Sequence, residues 1–139
     1  MKKIGIIGGG QLGKMMILDG RRMDYEFVIV DPTVKCPAHN IADSHIVAGF
    51  EDIEAIKRMA SRVDVVTYEF EHISVEALKE VEASGTPVYP SSKTLERIQN
   101  KLRQKEWLRK HEIPVPDFLS VKSQADIEHS AELFSYPMI

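Results

Sequence analysis

Lys3-Ile4-Gly5-Ile6-Ile7-Gly8-Gly9-Gly10-Gln11-Leu12-Gly13, near the start of the chain, is an apolar, β-branched run that ends in a glycine turn. Such a run suits a strand buried on both faces of a parallel sheet. Gly8, Gly10 and Gly13 have the G-x-G-x-x-G spacing. The first allows a tight turn off the strand, the second lets backbone approach a ligand, and the third removes a side chain where helix and sheet pack closely. The first amides of a helix starting near Gln11 lack intrahelical partners and point over the turn, which suits an anion. Phe27-Val28-Ile29-Val30 is a second strand, closed by Asp31-Pro32 because Pro32 restricts Asp31 and lacks a ladder donor. Asp31 lies 23 residues after Gly8, near the roughly 20 at which dinucleotide folds carry a ribose-binding acid. Taken alone, residues 1–31 fit an NAD-binding Rossmann domain.

Between the two strands a helix is expected to about Arg22, with Leu12, Met15, Met16 and Met23 near one face as core packing. Residues 33–44 have no usable period and read as a loop near the ligand face. His39 and His45, six positions apart with no third ligand in view, make a weak metal pair; hydrogen-bonded or exposed histidines are the better reading. His45 to Val47 suits a short strand. Asp52 caps a crossover helix with Ile53, Ile56, Met59 and Ala60 on one side.

Val63 to Thr67 is the next strand, and it delivers Tyr68-Glu69-Phe70-Glu71-His72 to its C-terminal end. Ligands of open α/β sheets bind outside that end, so two carboxylates and an aromatic hydroxyl there form a second candidate site. Alternation sends Glu69 and Glu71 to one side, where they either crowd a pocket or face solvent. Ser74 caps a helix with Val75, Leu78 and Val81 inward, and Pro87-Val88-Tyr89 suits a short final strand. From Thr94 a helical pattern runs through Leu95, Ile98 and Leu102, then slips phase at Trp107. A break near Asn100 into two short helices explains the slip.

The chain has 139 residues, 43% hydrophobic and 28% charged, which is enough for one domain with a real core and too little for two ordinary ones. Its net charge of −3 gives no overall reason to expect nucleic acid, and its apolar runs are too short to span a bilayer. Cys36, the single cysteine, rules out an intrachain disulfide and suggests a reducing compartment. No signal peptide is readable, and a cytoplasmic location is expected. Against the net charge, residues 93–112 hold Lys93, Arg97, Lys101, Arg103, Lys105, Arg109 and Lys110 but only Glu96, Glu106 and Glu112, a local excess of +4. That excess is either a solvated helix surface with Glu–Lys pairs or a means for one or two bases to reach a nucleotide phosphate. Ile113-Pro114-Val115-Pro116 is stiff and extended and marks a boundary. Beyond it, Phe118 to Val121 reads as a strand, Ser123 as the cap of a helix containing Ala125, Ile127 and Ala131, and Tyr136 to Ile139 as another strand.

Taken in order, Ile6 to Met15, Thr67-Tyr68-Glu69-Phe70-Glu71-His72, Tyr89-Pro90-Ser91, Ile98 to Lys105 and Ile113 to Pro116 resemble the amino-terminal region of N5-carboxyaminoimidazole ribonucleotide synthetases, of the ATP-grasp superfamily. The resemblance implies an α/β fold: a Rossmann-like parallel sheet with flanking helices, the preATP-grasp domain, at 1–112, and the start of an ATP-grasp domain at 113–139. It implies a domain that binds no dinucleotide, with Gly10, Gln11 and Leu12 bordering 5-aminoimidazole ribonucleotide and Glu71 near its ribose or imidazole. Lys101 matches a basic position that holds ATP phosphate, and Lys105, one turn on, is a second candidate. The implied substrates are ATP, bicarbonate and 5-aminoimidazole ribonucleotide, with Mg2+ bound by acids of the remaining ATP-grasp region; no metal ligand is assigned here. A homodimer is common in the family. Principal catalytic residues of the family are absent from these 139 residues, so the chain by itself is expected to be inactive. The rival readings are another ATP-grasp purine enzyme such as the formate-dependent glycinamide ribonucleotide transformylase, the NAD-binding oxidoreductase domain, and a non-catalytic binding module.

Overall fold

A computed structural model of the protein describes residues 1–134. The strand expected at Tyr136–Ile139 lies outside the described residues. The chain forms two compact units, Met1–Gln99 and a second beginning at Asn100.

In the first unit four parallel strands, β1 (Lys3–Ile7), β2 (Glu26–Val30), β3 (Ser44–Ile46) and β4 (Val65–Tyr68), lie in the order β3-β2-β1-β4. Val88 extends the sheet beyond β4 through a parallel bridge to Val66. The helices are α1 (Gln11–Gly20), α2 (Ile53–Ala60), α3 (Val75–Ala83) and α4 (Ser92–Ile98). Asp52, Ser74 and Ser91 cap α2, α3 and α4 by accepting the Ala55, Ala77 and Thr94 amides, each satisfying an otherwise orphaned donor.

Strand alternation sorts the core into two layers. Ile6, Phe27 and Ile29 pack with Ile17 of α1, Cys36 and Ala38 on one face. Ile7, Val28, Val30, Val66 and Tyr68 pack with α2, α3 and Leu95 on the other. From β1 the chain steps through β2 to β3 at one side, then crosses to β4 on the other side of β1. Right-handed crossovers running in opposite directions put their helices on opposite faces. They also leave a topological switch point between the C-terminal ends of β1 and β4, the place where open α/β sheets bind ligands.

The buried face of α1 matches the expected one at Met16, which packs partly buried against the core, and departs from it elsewhere. Leu12, Met15 and Met23 are more than half exposed, and the buried residues of the helix are Gly13, Ile17 and Gly20. Two glycines let the helix axis sit close to the sheet: a Cβ at Gly20 would overlap the Phe27 ring, and one at Gly13 would lie 2.6 Å from the Gly8 carbonyl oxygen. A hydrophobicity pattern assigns weight to methionine and none to glycine, so it places the face too far round, with only Met16 shared. The helix also stops at Gly20, and a single 3-10 turn, Arg21–Met23, follows.

The second unit contains α5 (Lys101–Lys110), capped by Asn100, and α6 (Gln124–Leu133), opened by a capping box of Ser123 and Asp126. The break at Asn100 thus separates two helices, as the phase slip suggests. Phe118 to Val121 forms no strand among the described residues, which corrects the expected one. Ile127 of α6 is more than half exposed, and the buried residue of that helix is Ser130.

Candidate functional site

The glycine turn and the turn after β4 meet at the switch point. Ile7 pairs with Tyr68 at the ends of β1 and β4, and the Glu69 amide donates to the Ile7 carbonyl at 3.3 Å. Gly8 leaves the strand with φ of 108°, a conformation that disfavours any side chain. Beyond it three backbone donors of the turn are taken by carboxylates of the same chain. The Gly9 amide donates to Asp31 Oδ2 at 2.9 Å, the Gly10 amide to Glu69 Oε1 at 2.9 Å, and the Gly13 amide to Glu69 Oε2 at 2.6 Å. Carboxylates suit this place because unsatisfied amides and the helix dipole both favour negative charge there.

Asp31 therefore does not serve a ribose. It is 6% exposed, and its second oxygen accepts the Thr33 amide at 2.7 Å. Its backbone carbonyl accepts from His45 Nε2 at 2.9 Å, which obliges that nitrogen to carry a proton. In the neutral ring His45 Nδ1 is then an acceptor, and His39 Nδ1, 3.0 Å away, donates to it. The two histidines form a structural relay behind the turn. Among the described residues no group of three or more His, Cys, Asp or Glu side chains is placed to hold a metal ion.

Beneath the turn lies Cys36, buried against Gly9, where an added Cβ would fall 2.5 Å from its sulfur. Burial, then the charge of Asp31, pushes its thiol above the ordinary cysteine range.

The turn carrying Glu71 is held from two sides. Gln99 Nε2 donates to the carbonyls of Glu71 and Ile73, both at 2.8 Å. Phe70 meets Phe50 edge-on, with ring centroids 4.6 Å apart. The Glu71 side chain is half-buried at this edge, while Gln11 and Leu12 are exposed at the start of α1. Gly10, Gln11, Leu12 and Glu71 thus occupy the same end of the sheet. Tyr68 does not join them. It packs in the core with α2 and α3, its hydroxyl is buried without a hydrogen-bond partner among the described residues, and burial followed by the Glu82 charge raises its pKa. The aromatic hydroxyl of the second candidate site is in this way a core group. Glu69, a candidate by its place at the strand exit but without a role, and Gln99, to which no role is given, organise the two turns.

In the second unit Lys101 and Lys105 line one open groove of about 410 Å3 with Leu102, Phe118 and Lys122. The Arg109 guanidinium lies 4.1 Å from the Phe118 ring centroid and Lys105 Nζ 5.5 Å from it, cation–π geometry that holds the extended segment against α5.

The site belongs to a Rossmann-like α/β domain whose glycine turn is filled from within, by Asp31 and Glu69. Residues 1–99 match the model of the ribonucleotide synthetase preATP-grasp domain, and the chain belongs to that family. Over 98% of its length it is 39% identical to the N5-carboxyaminoimidazole ribonucleotide synthase of Staphylococcus aureus. The N5-carboxyaminoimidazole ribonucleotide synthetase of Thermotoga maritima superposes on 99% of the chain with a TM-score of 0.86 and 48% identity, across 37% of its own length. An Aspergillus clavatus N5-carboxyaminoimidazole synthase, solved with ADP and 5-aminoimidazole ribonucleotide, superposes on 98% of the chain with a TM-score of 0.75 and 35% identity, across 37% of its length. The chain spans 36% of the S. aureus relative, matching its amino-terminal region as the motif order implies.

Proposed function

We propose that this chain is the substrate-side part of an ATP-dependent ligase that carboxylates 5-aminoimidazole ribonucleotide with bicarbonate in purine biosynthesis. The observation that carries the reading is the meeting of the glycine turn and the Glu71 turn at one end of the sheet. Its support from relatives is their shared name and the two ligands of the A. clavatus structure.

In this reading Gly10, Gln11 and Leu12 border the ribonucleotide, and Glu71 accepts a hydrogen bond from its ribose or imidazole. The substrate phosphate does not rest on the Gly10 and Gly13 amides, because Glu69 already holds them. Lys101, with Lys105 on the same groove, offers positive charge to ATP phosphate. ATP passes its terminal phosphoryl group to bicarbonate, giving ADP and carboxyphosphate; the exocyclic amine then takes the carboxyl group and phosphate leaves. Water destroys carboxyphosphate, so closure by the remaining ATP-grasp region is required, and Mg2+ is assigned to acids of that region. The chain by itself is expected not to turn over.

The test is made in the complete synthetase. ADP release must depend on 5-aminoimidazole ribonucleotide together with bicarbonate, and Lys101→Ala must raise the ATP requirement while leaving the ribonucleotide requirement in place. Turnover with formate and glycinamide ribonucleotide instead would assign the chain to the transformylase.

A further inference from the structure

The G-x-G-x-x-G turn of this chain has kept the geometry of an anion site and lost the vacancy. An added Cβ at Gly8 would fall 2.5 Å from Glu69 Cγ and one at Gly10 would fall 2.7 Å from Glu69 Oε1. The glycines therefore make room for a side chain of the same chain, where dinucleotide folds make room for a pyrophosphate. The two carboxylate oxygens are divided between the Gly10 and Gly13 amides, a bidentate, charge-assisted arrangement that fixes orientation as well as position.

We propose that Glu69 is a positioning residue that acts as a built-in anion: its carboxylate plugs the glycine turn against phosphate groups and fixes the β4 exit onto the start of α1. Two backbone anchors make the clamp rigid. On the Glu69 side the amide of the same residue is tied to Ile7, and two residues later the Glu71 carbonyl is tied to Gln99. Releasing the carboxylate frees two donors aimed at one point and uncouples the Glu71 turn from Gln11 and Leu12. The plug stands on geometry alone; its consequence for the ribonucleotide rests on the proposed function.

The experiment uses this 139-residue chain, with inorganic phosphate and formate as probes. Glu69→Ala is expected to show saturable amide shifts at Gly10 and Gly13 on adding either anion, and a Tm that rises with formate. The wild-type chain is expected to show neither at the same concentrations, which separates site filling from the general stabilising effect of phosphate. Glu69→Gln, which keeps the shape and one acceptor, should retain slow hydrogen exchange at one of the two amides and lose it at the other. If the alanine variant fails to fold, this exchange pattern alone decides the matter. Saturable phosphate binding at these amides in the wild type overturns the proposal. So does a folded Glu69→Ala that binds neither anion, or unchanged protection of both amides in Glu69→Gln. Because no turnover is measured, failure here leaves the assay of the complete synthetase independent.

Discussion

The Gly13 amide and the Glu69 carboxylate, 56 positions apart, meet at 2.6 Å, and the contact exists because position 13 carries no side chain. A methyl group there would stand 2.6 Å from the Gly8 carbonyl oxygen and 3.4 Å from Glu69 Oε2. The nearer atom is backbone and cannot swing away. Gly13→Ala is therefore expected to destabilise the first unit by about 1–3 kcal/mol, the usual range for overpacking. Thermal unfolding checks it, with Gly49→Ala as control: nothing lies within 4 Å of an added Cβ at Gly49, and its effect should stay within about 0.5 kcal/mol.

The glycine-lined face of α1 makes a second prediction. Ile17 is fully buried between α1 and the sheet, whereas Met15 is 53% exposed. Ile17→Ala should cost about 2–5 kcal/mol through lost burial and a residual cavity. Met15→Gln should change stability by no more than about 0.5 kcal/mol. Equal losses in denaturant titrations of the two variants would restore the methionine face to the core.

What the sequence made legible follows the range of the forces involved. The strands at Lys3–Ile7 and Glu26–Val30 announce themselves because a continuous apolar run needs only its own residues to be recognised. The caps at Asp52 and Ser74 are likewise local, each side chain reaching an amide three residues on. The resemblance added order to these pieces and placed Gly10 and Glu71 at one edge. It did not disclose that Glu69 fills the turn, since that pairing is set by sheet register between segments far apart in the chain. Nor could periodicity see that glycines make the tightest contacts of α1, because their contribution is the approach they permit. Phe118 to Val121 has strand composition, yet among the described residues it finds no strand partner, and composition alone cannot supply one.

Acid should weaken the first unit through two aspartates held below the ordinary carboxylate range. At Asp64 the Lys3 amide, bonded at 2.8 Å, is the main cause, helped by Lys2. At Asp43 burial works the other way, but the Phe27 amide at 2.7 Å and Arg21 at 2.9 Å outweigh it. A carboxylate with a lowered folded pKa adds stability above its unfolded pKa and loses it as pH falls through the folded value. Stability measured by urea unfolding should hold from neutrality to about pH 5 and decline below the ordinary aspartate value of about 4. Asp43→Asn should lower stability at neutral pH and flatten the acid decline.

Cys36 makes the opposite statement at alkaline pH. Its thiol is 5% exposed beneath Gly9, and burial, with the Asp31 charge added, raises its pKa. A raised pKa means that the folded protein prefers the protonated thiol, so this contribution to stability is complete below the unfolded cysteine value and is lost as pH climbs through the folded one. A raised pKa also leaves less thiolate, the nucleophilic form. Reaction with a disulfide reagent at neutral pH should accordingly be slower in the folded chain than in denaturant. Glu69→Ala, which loosens the turn lying over the sulfur, should speed it, while Cys36→Ala should remove the thiol's share of the alkaline loss of stability and leave that of Tyr68. A wild-type thiol that reacts as fast folded as unfolded would mean that the glycine turn does not stay closed over Cys36.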